Sequence, residues 1–402
     1  MKSKKYFGID INVVLLSIVS FLNDMSSEMV LPILPLFIKS LGGTGLIIGI
    51  VGGLRESLAG FLKIISGYWS DRIGRRKIFV VHGYLVSVIF KVFLGLARTW
   101  RHVLVFSSLG RAGKGLRDAP RDAIIADFAK RRRGRVFGFH RTFDTAGAIL
   151  GSVIVLVLFS KFGFDFRTII FIAAVIGFFA LFPLNLVTEK KHEKKRISFK
   201  LSFFNLPRKL KLFMLVSGAF ALANFSYMFF ILKAQEIIGG ETSIEKAILL
   251  YIVFNIFYAL FAIPLGMLSD KIGRKKVILS GYFLFALTCV GFLFFQSLFA
   301  LVFLFISYGI TYALIEGNQR AYVVDLAADY IRATALGAFH TITAVLTFVS
   351  SVLAGVLWQI SSDYTFMFGA VMSLFSLVLF FVFKNRFVTK KHIAEPSAVL
   401  KS

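Results

Sequence analysis

The sequence predicts an all-α membrane protein with twelve transmembrane helices in two pseudo-symmetric six-helix bundles. Three observations carry that prediction. Hydrophobic residues make up 57% of the 402-residue chain and charged residues only 17%, against roughly 45–50% and about 25% in soluble domains. The apolar residues fall in continuous runs of the length a helix needs to cross a bilayer, about 20 residues. The two halves of the chain also repeat each other at a separation of 198 to 201 residues. Continuous rather than alternating runs exclude a β-barrel.

The elements follow in order. Met1 to Lys5 is basic and precedes an apolar run that reaches Ile38. A signal peptide has an apolar region of only about 7–15 residues and a small-residue cleavage site, so this run is read as the first span, 11–38. Helix-length windows then place spans at 46–69, 78–98, 102–126, 136–160 and 168–187. Segment 188–209 is basic and polar and reads as a linker; it divides an N-terminal bundle, 1–187, from a C-terminal bundle, 210–384. The second set of spans is 210–233, 246–268, 277–296, 299–325, 332–358 and 364–384, and 385–402 is a tail.

Charge placement sets the orientation. Lys and Arg crowd the Asp71–Lys77, Lys130–Arg135, Glu189–Lys211 and Asp270–Lys276 segments and the tail, all on one face. The opposite loops carry only Lys39, Arg98, Arg101, Lys161, Arg167, Lys233 and Lys246. The positive-inside rule therefore puts both termini in the cytoplasm of a multi-pass cell-membrane protein. The net charge of +26 is then accounted for by topology and attraction to anionic lipid, and a nucleic-acid partner is not expected. One cysteine, Cys289, and six scattered histidines offer neither a disulfide framework nor a metal site. With no phosphate-binding loop or nucleophile elbow, no cofactor and no enzyme activity are expected.

The repeat is readable residue by residue. GYWSDRIGRRKIF begins at Gly67 and GMLSDKIGRKKVI at Gly266, so Asp71, Gly74 and Arg75 recur as Asp270, Gly273 and Arg274. Arg121, Asp127 and His140 recur as Arg320, Asp325 and His340, and Asn23 is echoed by Asn224. An ordered set of echoes implies an internal duplication, and halves facing the same way form a parallel repeat.

These residues carry a family resemblance. Gly67-x-x-x-Asp71-Arg72-x-Gly74-Arg75-Arg76-Lys77, between the second and third spans, resembles the signature loop of the major facilitator superfamily. Arg111 followed by Lys114-Gly115 is similar to that family's Arg-x-x-Gln-Gly element, with Lys114 at the Gln position. The resemblance covers the whole chain and implies that family's fold. It implies that Asp71 and Arg75, with Asp122 or Asp127 as the arginine's partner, latch the cytoplasmic side, and that Asp270, Arg274 and Asp325 do so in the second half. Arg76 and Lys77 are expected only to set topology. Family exporters tend to carry Gly-Pro-x-x-Gly-Gly on the fifth span. Here Gly147 and Gly151 form a small-xxx-small pattern without proline, which speaks against export and for close helix contact.

Ionisable residues inside spans are costly and mark functional candidates. They concentrate in the first half: Asp24 and Glu28 on one face of span one, Arg55, Glu56 and Lys63 on span two, and Lys91 on span three. Span four adds Arg111, Lys114, Arg117 and Asp118, and span five adds His140, Arg141 and Asp144. The second half has Asn255 where the first has Glu56, Ala344 where it has Asp144, and Glu316 as the main exception. Two acids four residues apart on one face need a partner or a proton, so Asp24 and Glu28 lead the proton-coupling candidates, with Glu56 and Asp144 in reserve. Neutralisation of the pair by Arg55 and Arg111 is the competing structural account. Lys63 and Lys91 are equally well read as side chains that snorkel or cap a neighbour, and Arg117, Asp118, Arg121 and Asp122 as gate or interface pairs.

The resulting expectation is a monomeric secondary transporter that moves a small organic solute by alternating access, coupled to protons. An uncoupled facilitator and a transport-incompetent sensor or scaffold of the same fold are the alternatives. The buried charges nearly balance, so the sign of the solute is left open.

Overall fold

The computed structural model describes residues 5–6, 9–128, 133–189, 206–327 and 331–387. Residues 190–205 of the expected linker and 388–402 of the expected tail lie outside them, as do residues 1–4 of the basic start. A two-residue antiparallel pairing of Lys5–Tyr6 with Ile9–Asp10 precedes the first helix.

The first expected span is two helices, α1 (Ile11–Glu28) and α2 (Leu34–Ser40). Asp10 caps α1 by accepting from the Asn12 amide at 3.0 Å, a standard satisfaction of an orphan helix donor. The break falls beside Pro32 and Pro35, which lack the amide a continuous helix requires. Without an amide on Pro35, the Leu31 carbonyl has no donor four residues on. The Tyr227 hydroxyl, from the other half of the chain, donates to it at 3.1 Å.

Then follow α3 (Gly45–Ile73), α4 (Arg76–Gly95), α5 (Trp100–Phe128) and α6 (Arg133–Ser160). The sixth span is α7 (Phe166–Phe179) and α8 (Leu181–Leu186), with Pro183 just beyond the interruption. The seventh is also broken, into α9 (Arg208–Ala223) and α10 (Met228–Ile238). The rest are α11 (Ser243–Ile272), α12 (Arg274–Phe294), α13 (Leu298–Leu326), α14 (Arg332–Ile360) and α15 (Ser362–Phe387).

Among the described residues, ten spans are long and apolar enough to cross a bilayer. The α1–α2 run and α5 fall outside that set because they carry the polar chemistry. Both pack inside the bundle nonetheless, α1 against α6 and α7, and α5 against α3 and α4. The close approach of α1 to α6 depends on Gly147 and Gly151, where a Cβ would stand 2.3 Å from the Phe21 carbonyl oxygen and 2.2 Å from that of Met25. Large apolar side chains such as Phe61, Leu260, Ile263 and Phe381 face outward, as a surface solvated by lipid requires.

The two halves meet along two seams, α3 with α14 and α6 with α11. The α3–α14 seam is tightly closed. Gly45, Gly49 and Gly53 lie against Trp358, Ser351 and Phe348, and Ser57 donates to the Ala344 carbonyl at 2.6 Å. The other seam encloses a cavity.

Candidate functional site

A cavity of about 540 Å³ lies between the halves toward the face that carries the α3–α4 and α11–α12 turns. One wall is α5 and α6, with Arg121, His140, Arg141 and Asp144; the other is α11 and α13, with Tyr258, Tyr312, Asn318 and Arg320. A polar chain crosses it. Arg141 donates to the Tyr258 hydroxyl at 3.3 Å, Tyr258 donates to Glu316, and Glu316 pairs with Arg320 at 2.5 Å.

Of the coupling and substrate candidates, Asp144 alone lines this cavity. It stands 3.6 Å from His140, one helical turn away. His140 is buried and also contacts Ser17 at 3.2 Å and Ser20 at 3.5 Å. Ser20 in turn accepts from Arg121 at 2.9 Å, and Arg121 pairs with Asp122 at 3.0 Å. Both His140 and His340 lie about two turns into their helices, α6 and α14.

The competing account, neutralisation of Asp24 and Glu28 by Arg55 and Arg111, finds no such ion pair among the described residues. Arg111 reaches both oxygens of Glu56, at 2.8 and 3.0 Å, because α3 and α5 pack side by side and bring those positions together. Arg55 donates instead to the Ser107 carbonyl at 3.2 Å. Asp24 accepts from the neighbouring Asn23 at 3.3 Å. Glu28 faces across the interface, accepting from the Tyr251 hydroxyl at 3.0 Å and from Asn255 at 3.4 Å. The two acids share a helix face but have separate partners.

Lys91 does not snorkel. It is buried and donates to Ser26, whose own hydroxyl is donated to the Ala173 carbonyl. Arg117 is also buried; it donates to Ser87 at 2.7 Å and lies 4.4 Å above the Tyr84 ring. Neither Lys91, Lys114 nor Arg117 forms an ion pair among the described residues. Each unpaired charge within a span costs at least about 2.5–3.5 kcal/mol, a large sum beside the stability of a folded protein.

The signature loop corrects one expectation. Arg75 makes no ion pair among the described residues, and Arg76, expected only to set topology, makes the pairs expected of Arg75. It pairs with Asp71 at 2.7 Å and Asp127 at 2.9 Å. In the second half Arg274 pairs with Asp270 at 3.1 Å and Asp325 at 2.6 Å. The helix start explains the one-residue shift. Gly74 caps α3 in the left-handed region, φ 74°, and Arg75 is extended, so α4 begins at Arg76. Gly273, φ 98° and ψ 132°, itself leads into α12, which begins at Arg274. In each half the arginine on the first helical residue meets the acids. Gly67 sits on α3 against Ala119, and Arg72 lies over the Trp69 ring at 5.5 Å. Asp122 is held by Arg121 and not by the signature loop.

Sequence reasoning missed Tyr227, Tyr251, Tyr258 and Tyr312. A tyrosine inside an apolar span reads as core, and only the tertiary structure turns its hydroxyl toward a carboxylate, a backbone carbonyl or a cavity.

Comparison with known proteins fits this architecture. The Major Facilitator Superfamily model matches residues 16–243 and 214–401. An uncharacterised MFS-type transporter of Methanocaldococcus jannaschii is 52% identical over 376 residues, 92% of this chain and 94% of that one. The fold is shared with a variant of the nucleoside transporter NupG, TM-score 0.78 and 17% identity, covering 94% of this chain and 100% of that one. It is also shared with a bacterial homologue of the human lysosomal transporter Spinster, TM-score 0.75 and 15% identity, covering 94% and 96% of the two chains. The chain belongs to the Major Facilitator Superfamily of membrane transporters.

Proposed function

We propose that the chain is a secondary transporter that carries a small organic solute through the cavity between its halves by alternating access, coupled to proton movement. The observation that carries the reading is the cavity of about 540 Å³ on one face, opposite a closed α3–α14 seam. Its volume is that of a small-molecule site, and its walls come from both halves, so rocking one against the other changes which side it faces. The basic loops support cytoplasmic termini in the cell membrane, and the cavity then faces the cytoplasm. The latches at Arg76 and Arg274 support a chain that kept its switching machinery rather than a scaffold. A monomer suffices, since the cavity is lined by one chain.

Glu28 is the leading coupling residue. It is the candidate acid whose hydrogen bonds, to Tyr251 and Asn255, reach the opposite half. Its protonation would therefore alter the contact between the halves, which is what coupling requires. Asp24 and Asp144 are the next candidates, whereas Glu56 is committed to Arg111.

Purified protein in liposomes loaded with a pH-sensitive dye tests the reading, with pooled organic cations, anions and zwitterions added outside. Proton movement with one pool, lost in Glu28→Gln while labelled solute still equilibrates, is the expected result. Solute accumulation that ignores any pH gradient overturns the coupling and leaves a facilitator. No solute movement with any pool overturns the transport reading for those classes.

A further inference from the structure

A second cavity, about 50 Å³, lies within the N-terminal half among α1, α3, α4 and α5. It shares no lining residue with the larger one. Five cations line it, Arg55, Lys91, Arg111, Lys114 and Arg117, and no carboxylate does. The acids beside these cations have other partners: Glu56 is engaged by Arg111, Glu28 by Tyr251 and Asn255, Asp24 by Asn23 and Asp118 by Arg121.

The donors on this wall are under-used. Ser107 is buried and lines the cavity, and its hydroxyl has no hydrogen-bond partner. The Nε atoms of Arg111 and Arg117 are likewise buried without an acceptor. Lys114 makes no hydrogen bond or ion pair among the described residues. Guanidinium groups stay charged in proteins, so Arg55 and Arg117, which have no carboxylate partner among the described residues, cannot shed their charge, while Arg111 is balanced by Glu56. Buried donors of this kind are satisfied in native structures by a partner, and the cations around these donors favour an acceptor that carries negative charge.

We propose that this cavity is an anion-binding site inside the first bundle, taking a small anion or a carboxylate head group. A single water needs roughly 10–15 Å³ on this measure. The space therefore suits a halide, nitrate or an acetate-sized group, and excludes a nucleotide or a sugar phosphate. A bound anion would join α3, α4 and α5 through their cations and complete the charge balance that the acids on these helices leave open.

The test uses the full chain in nanodiscs of neutral phosphatidylcholine, so that anionic lipid is absent. Sodium bromide, nitrate or acetate replaces sodium gluconate at constant ionic strength, and two signals are read: the thermal midpoint and the bromide NMR linewidth. A saturable rise in midpoint with bromide, and line broadening displaced by nitrate, are expected. Displacement by acetate as well assigns the site to carboxylate groups; displacement by nitrate alone assigns it to free inorganic anions. Lys114→Met should weaken binding roughly tenfold, the equivalent of about 1.4 kcal/mol. Lys114 holds no partner, so this variant leaves the fold intact where Arg117→Met risks losing it. Absence of any saturable anion effect, or unaltered bromide affinity in Lys114→Met, overturns the proposal. These are equilibrium signals, so they are read without reference to whether the protein moves a solute.

Discussion

Replacing Gly49 by alanine should force the α3–α14 seam open. An added Cβ would stand 2.1 Å from the backbone oxygen of Ser351 on α14. An ordinary carbon–oxygen contact is about 3.3–3.6 Å, so the helices must part by roughly 1.2–1.5 Å. The obstacle is a carbonyl, and no change of rotamer relieves it. Overpacking of this kind costs about 1–3 kcal/mol. At about 1.4 kcal/mol per tenfold, the balance between closed and open seam shifts roughly 5- to 140-fold. The chain suits a labelling assay because its single cysteine, Cys289, is fully buried. In a Cys289→Ser background, Ser351→Cys places a thiol in the seam, where Ser351 is fully buried. A membrane-impermeant maleimide should label it slowly with Gly49 and several-fold faster with Gly49→Ala. Gly138→Ala, where the added carbon meets nothing within 4 Å, is the control and should leave the rate unchanged. Equal labelling with and without Gly49→Ala, in protein of unaltered thermal midpoint, would refute the argument that this seam is closed by backbone contact.

Three further expectations follow from the same contacts. Arg76→Gln should lower stability by about 1.5–3 kcal/mol, the worth of a hydrogen bond to a charged group, while Arg75→Gln should stay within about 0.5 kcal/mol; thermal midpoints in detergent rank them, and equal losses would sink the assignment of the latch to Arg76. Arg111→Met strands Glu56 and should cost less than the about 3–5 kcal/mol of a fully buried pair, because the Glu56 side chain is 41% exposed, with Glu56→Gln added to it recovering part of the loss; a double variant less stable than the single one would contradict a direct pair. Outside the spans, Asp165 caps α7 by accepting from the Thr168 amide at 3.1 Å, and hydrogen bonds from Thr168 hold its carboxyl below the ordinary range. A depressed carboxyl stabilises the fold above its unfolded value, about 3.9, and that stability is lost as pH falls through the folded one. Amide exchange at Thr168 should therefore quicken on acidification in the native chain and be pH-independent, beyond the intrinsic rate, in Asp165→Ala.

Much of the fold was legible because lipid removes alternatives. A backbone in hydrocarbon must satisfy itself, so each long apolar run is a helix. The duplication was visible in Gly67 and Gly266, and the latch acids in Asp71, Asp127, Asp270 and Asp325. The pairing expected at Arg75 falls on Arg76 because the contact follows the first helical residue, which the conformations of Gly74 and Gly273 set differently. The breaks differ in the same way. Pro32 and Pro35 announce the first, but the interruption at 224–227 has no proline and no comparable mark.

The sequence by itself determined the class of protein, ten of its apolar spans and which helices carry charge, because hydropathy and local spacing act along the chain. Only the tertiary structure decided which charges meet. Asp24, Glu28, Arg55, Glu56 and Arg111 are all polar residues in apolar spans, and any pairing among them satisfied the sequence. Side-by-side packing of α3 and α5 gave Glu56 to Arg111, and apposition of the halves gave Glu28 to Tyr251. The cations of α4 and α5 were left around a cavity of their own. Coulomb interactions are decided by distances of a few ångströms between segments far apart in the chain, and the order of residues does not contain them.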